Sequence, residues 1–308
     1  MILEPLGYIE LPPHLKKGGF DHAAYHRSDG RLYIAHTAND AVDVIDCAAD
    51  RYLRSIFGLT GIAGVLTAQE RDLVFTSNRA EDTVGIFASD GNNQLAKVAV
   101  GHRPNGLAYD SLRNVLLAAN VGDPAIPSSA TVSIVDVDAR STVTSVPMPG
   151  RTRWALFAER QDAFFINIAN PPCIVVIQAS HPAQIAKTFE IPAVGPHGLD
   201  FDVDAQRLFC ACDAKRLICL DARSGKVSHD LALSGAPDVI FFNAEAGRLY
   251  VAIGDPGLID IVDTQRMELI ETIKTEAGAH TIGFDPQRNK IYAFLPGTHR
   301  AAVYRDQG

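Results

Sequence analysis

A segment of about 40 residues recurs seven times along this 308-residue chain, and no other feature restricts its fold so strongly. The clearest copies are "HGLDFDVDAQRLFCACD" from 197, "DVIFFNAEAGRLYVAIGD" from 238, "HTIGFDPQRNKIYAFLPG" from 280 and "NGLAYDSLRNVLLAAN" from 105; weaker ones begin near 22, 63 and 153. The starts 22, 63, 105, 153, 197, 238 and 280 are separated by 41, 42, 48, 44, 41 and 42 residues. Each copy opens on a short apolar run and turns through a polar stretch such as "DPQRN" or "AEAGR". It continues into a second run carrying Tyr33, Phe75, Leu117, Phe165, Phe209, Tyr250 or Tyr292. An Asn/Gly/Asp-rich connection, a third run such as "VSIVDV" or "IDIVDT" and a fourth such as "LIETIKT" complete it. Short runs rich in Val, Ile, Phe and Tyr between turn residues read as strands. One such unit cannot bury both of its faces, so successive copies must stack.

Four strands in about 40 residues is the arithmetic of a propeller blade, and seven blades lie within the usual range. The expectation is an all-β, seven-bladed β-propeller, a single domain spanning 1–308. The chain ends at "AAVYRDQG", before a fourth strand for the last copy. The N-terminal "PLGYIELPP" resembles the fourth runs elsewhere, so residues 6–11 are expected to close blade seven as its outermost strand and protect the sheet edges.

"GHRPNGLAYD", "GPHGLDFD" and "AHTIGFDPQRNKIYAF", with third runs such as "VSIVDVDAR" and "IDIVDTQRM", resemble the YVTN-type repeat of seven-bladed propellers over essentially the whole chain. The literal YVTN tetrapeptide is absent; "FTSN" at 75 and "YIAH" at 33 are its nearest relatives. The resemblance implies the fold, and two kinds of activity: lactonase-like enzymes, and binding or surface proteins.

Composition narrows the partners. The net charge of −8, from 28 basic and 36 acidic residues, leaves no basic footprint for nucleic acid. Apolar runs such as "CIVVI" are far shorter than a membrane span, and Glu4 and Glu10 interrupt the start where a secretory signal would be apolar. Five scattered cysteines, of which Cys210 and Cys212 share one strand face, read as reduced, buried thiols rather than a disulfide framework. These features together suggest a cytoplasmic protein.

Propeller topology gathers the starts of the inner strands and the loops between second and third strands at one mouth of the central channel, where function is expected. The first residues of the copies are His22, Ala63, Asn105, Arg153, His197, Asp238 and His280. His22, His197, Asp238 and His280 follow one another around the closed ring and would suit one divalent metal ion. Without metal, His22, His197 and His280 would act as acid and base. Arg153 and Trp154 would bind and stack on a substrate, with Asn105, His36 and His299 reaching the same face. Each polar residue also has a plain structural role as a turn or strand cap. Two readings stay open: a propeller binding a small molecule or protein partner at its polar mouth, and a lactonase-like hydrolase or lyase.

Overall fold

The computed structural model describes residues 1–90 and 94–308. Its strands form seven antiparallel sheets of four, with two single 3-10 turns at Thr37–Asn39 and Glu159–Gln161. Blade one runs through Phe20–His26, Arg31–His36, Ala41–Asp46 and Arg51–Phe57, in chain order from the axis outward. Blades two to six repeat this order, and no helix is long and apolar enough to cross a membrane among the described residues.

Blade seven is made from both chain ends, as the repeat count requires. Its inner three strands are Ile282–Asp285, Lys290–Leu295 and Arg300–Asp306, and Leu3–Glu10 pairs antiparallel with the last of these. The closing strand thus begins earlier than residue 6. Leu3 and Ile9 are buried, so the closure has an apolar as well as a hydrogen-bonded component.

The second strand of every blade is buried almost throughout, whereas the outer strands are mostly exposed or half-buried, as in Glu268–Lys274. Seven buried clusters fill the spaces between neighbouring blades, one of them joining Tyr33, Val42 and Val44 of blade one to Val65, Val74 and Phe87 of blade two. The recurring second-strand tyrosines anchor these layers with their hydroxyls. Tyr33 Oη donates to Ser89 O of the next blade at 2.5 Å, and Tyr250 Oη donates to Asp306 Oδ2 at 2.5 Å. An apolar body with a satisfied polar tip suits this position. All five cysteines are buried and unbridged; Cys210 and Cys212 lie on one face with their sulfurs 3.9 Å apart.

Candidate functional site

Sheet register fixes which residues share the mouth. Phe20, Ile62, Pro104, Thr152, Pro196 and Pro237 begin the inner strands of blades one to six and pair with the last residues of the second strands. The next residue in each is Asp21, Ala63, Asn105, Arg153, His197 and Asp238. In blade seven the pairing of Ile282 with Ala293 puts His280 at this level. Blade one therefore contributes Asp21 to the ring, and His22 stands one residue further in, level with Trp154. The expectation that His22 begins its copy is corrected by one position.

His197, Asp238, His280 and Arg153 are brought together. His197 Nδ1 lies 2.8 Å from Asp213 Oδ1, and its Nε2 lies 3.1 Å from Asp238 Oδ1. Asp238 uses its other oxygen on His280 Nδ1, at 3.0 Å. Arg153 reaches Asp213 at 3.3 Å and His197 Nε2 at 3.0 Å. Local backbone packing makes this possible. A Cβ on Gly198 would stand 2.3 Å from Asp238 O, so glycine lets the inner strands of blades five and six approach closely. Asn167 Nδ2 donates to the carbonyls of His197 and Gly198, holding that strand start in place.

Electrostatics follow from these contacts. Burial opposes charge on His197, but the Asp238 carboxylate and the hydrogen bond to Asp213 outweigh it and push the imidazole up to about 9. Both nitrogens then donate to carboxylates at neutral pH, and the Arg153 guanidinium beside Nε2 opposes the ring's charge rather than donating to it. His280 is likewise raised, against burial, by Asp238. Asp238, whose burial favours the neutral acid, is held well below the usual carboxylate range by His197 and His280. The contacts are ion pairs, and no three His, Cys, Asp or Glu stand in metal-holding geometry among the described residues.

His22 and Trp154 take a different place from the one expected. His22 is 7% exposed, and its ring lies 4.2 Å from that of Trp154, which crosses from blade four. Burial, more than any neighbouring charge, pushes the His22 imidazole down. Trp154 packs both on the cluster between blades four and five and on that between blades six and seven. The pair floors the mouth and partitions the axis.

His36 and His299 do not line the mouth. His36 is fully buried with Nδ1 2.7 Å from Asp43 Oδ2, and it packs on Phe20 and on His14, which in turn packs on His299, beneath the connection that follows the closing strand. Blades one and seven supply these histidines from loops of the expected face, but the N-terminal connection covers them. Asn105 is buried at the ring, where its Oδ1 accepts from Arg79.

The sequence reading missed part of the mouth's charge. Arg79, Arg103, Arg151 and Arg153 crowd blades two to four, and of the four only Arg153 is in an ion pair among the described residues. Burial lowers the Arg79 guanidinium, the Asp21 carboxylate counters it, and Arg103 and Arg153 lower it further; Arg151 is lowered by burial and then by Arg153, Arg79 and Arg103. The buried Nε atoms of Arg79 and Arg153 have no hydrogen-bond partner among the described residues. Arg79 and Arg103, with Lys17, His102 and His280, border a cleft of about 680 Å³ that also meets Asp21, Asp82 and Asp123. Arg103 and Arg151 sit in the "GHRP" and "GRTR" connections into inner strands, and those connections were the signal available.

No protein-family model matches the chain, and no curated protein matches it in sequence. Solved structures do: 1823 chains share its fold, too broad a set to select an activity. One is Kuenenia stuttgartiensis Hydrazine Synthase, similar at a TM-score of 0.84 and 13% identity over 96% of this chain and 98% of that one. At that identity the likeness shows a shared seven-bladed fold and nothing of the chemistry.

Proposed function

We propose that this propeller binds a small anionic molecule at the mouth of its central channel, the anion sitting against Arg79, Arg103, Arg151 and Arg153. One observation carries this reading: Arg79 and Arg103 border the cleft without an ion pair among the described residues, while Arg151 and Arg153 lie near enough for the four charges to oppose one another. Like charges packed this way repel one another and are relieved by an anion, for which the guanidinium fork is the best-shaped donor. Protonated His197 adds to the positive field. A cleft of about 680 Å³ suits a metabolite-sized ligand. The resemblance to YVTN-type propellers supports a binding role of this kind, and the buried thiols suit a reducing compartment. Nothing at the mouth favours the hydrolase or lyase reading, because Asp238 occupies both of its oxygens on His197 and His280.

Titration calorimetry with inorganic phosphate and with succinate tests the proposal. Saturable binding of either, weakened at least ~10-fold by Arg79→Ala, is the expected result, since one charge-assisted contact is worth at least ~1.4 kcal/mol. No saturable binding of either anion, or equal affinity in the variant, overturns it.

A further inference from the structure

Below the Trp154–His22 partition the axis opens toward the opposite face as a second cavity, of about 520 Å³. Its middle ring is set by register: the residues paired with Tyr33, Phe75, Leu117, Phe165, Tyr250 and Tyr292 are Ala24, Leu66, Ala108, Leu156, Phe241 and Gly283. The seventh, paired with Phe209, is Asp200. Six blades put an apolar side chain or glycine at this level, and blade five puts a carboxylate.

Asp200 is not part of an ion pair among the described residues. Its Oδ1 accepts from the backbone of Phe201 at 2.8 Å and its Oδ2 from that of Phe242 at 2.6 Å, which fixes the carboxylate but leaves its negative charge uncompensated. Burial pushes this carboxyl up to about 6 in spite of both hydrogen bonds. Around it stand aromatic faces: Phe241 beside it in the ring, Phe284 in the wall and Trp154 at the ceiling. The far opening is edged by Glu70, Glu159 and Arg27, so acidic groups outnumber basic ones along the way in.

We propose that this cavity is a binding site for an organic cation, an ammonium group on a hydrocarbon body, with the cation against Asp200 and the body against Trp154 and Phe241. A carboxylate held in a largely apolar tube gains most from a weakly hydrated cation that brings its own apolar surface, and aromatic faces add cation–π attraction. A hydrated metal ion would find a single carboxylate and no other anionic ligand in that ring. The site lies across the partition from the arginine mouth and does not depend on it.

The only tryptophan forms the ceiling, so its fluorescence reports occupancy directly. Benzyltrimethylammonium titrated into the full chain is expected to change that emission saturably, and its uncharged isostere neopentylbenzene to bind at least ~10-fold more weakly. Asp200→Asn should weaken the cation at least ~10-fold while Asp200→Glu retains it, and Ala108→Phe should block the cavity with the carboxylate intact. Arg79→Ala at the opposite mouth should leave it unchanged. Absence of saturable binding to the wild-type protein overturns the proposal. Equal affinity for both probes, or a cation affinity unaltered by both Asp200→Asn and Ala108→Phe, overturns it as well.

Discussion

Replacing Asp238 by asparagine would remove one of the two carboxylates that bracket His197 and keep the side chain's size. In the intact protein the imidazole is held from 6.5 up to about 9. At ~1.4 kcal/mol for each tenfold change in proton affinity, that is ~3 kcal/mol of preference for the charged ring. Burial works in the opposite direction, so the carboxylates together supply more than this net figure. After the substitution only Asp213 remains, 41% exposed and shared with Arg153, whose own charge opposes protonation. His197 should then titrate at least ~1 pH unit lower, and NMR titration of the ring carbon-bound protons measures this directly. Stability must follow with a definite sign. A raised folded-state value means the contribution of His197 is complete below 6.5 and is lost as pH rises through about 9. Asp238, depressed in the fold, contributes fully above 3.8 and loses its share as pH falls below that. The wild-type urea midpoint should therefore decline between pH 6.5 and 9, and that decline should shrink in Asp238→Asn. The anion affinity of the mouth should fall over the same alkaline range. A wild-type His197 titrating near 6.5, or a variant still titrating near 9, would refute the bracketing argument.

Deleting residues 1–10 strips blade seven of its outer strand. Leu3 and Ile9, at 0% and 3% exposure, account for ~4 kcal/mol of lost burial, or a thermal midpoint lower by about 8 °C, before the cost of baring the Arg300–Asp306 edge. An unchanged midpoint rejects closure by the N-terminal strand. The histidine cluster beneath the N-terminal connection gives an acid-side effect. Burial, then His36 and His299, push His14 down to about 4, so between pH 6.5 and 4 the unfolded chain takes up a proton that the fold refuses and stability falls. His14→Phe should flatten that acid decline in urea midpoints; an equal decline in both proteins would contradict this account.

The ring was legible because propeller stacking imposes a repeat, and a repeat is visible without any knowledge of contacts. Even the displaced closing strand could be read, since the last copy lacks its fourth run. Register at the mouth was less legible. Counting 12 residues back from Phe209, Tyr250 and Tyr292 gives His197, Asp238 and His280, and the same count from Tyr33 gives Asp21 rather than His22. The histidine drew attention by its chemistry, while the spacing pointed to the residue before it. His36 and His299 show a different limit: a propeller face is wide, and sequence position assigns a loop to a face without saying how far from the axis it lies. His14, in the connection that covers them, belongs to no repeat. Arg103 and Arg151 were hidden for the opposite reason. They do share one column, each 14 residues before the second-strand anchor of its copy, Leu117 or Phe165, but the other copies hold Gly or Ala there, so the repeat marks the position as a turn and not as a charge.

The same register argument explains why the axis carries two chemistries rather than one. A wholly polar channel would hold water from end to end, and charges of opposite sign within it would neutralise one another through mobile solvent. Here His22 and Trp154 meet across the axis at 4.2 Å, and both are tied into packed clusters or burial. On one side of that aromatic floor lie Arg79, Arg103 and Arg151, outside any ion pair among the described residues; on the other, Asp200 lies in a ring otherwise apolar. Neither Asp200 nor any of these three arginines forms an ion pair with a neighbouring side chain among the described residues, although a chain with 28 basic and 36 acidic residues has ample means to supply one. Uncompensated charge in a low-dielectric setting is costly to the fold, and it persists where a ligand of opposite charge completes it. The partition keeps the two imbalances from cancelling each other, which makes Trp154 as much a part of the electrostatics as the ionised groups it separates.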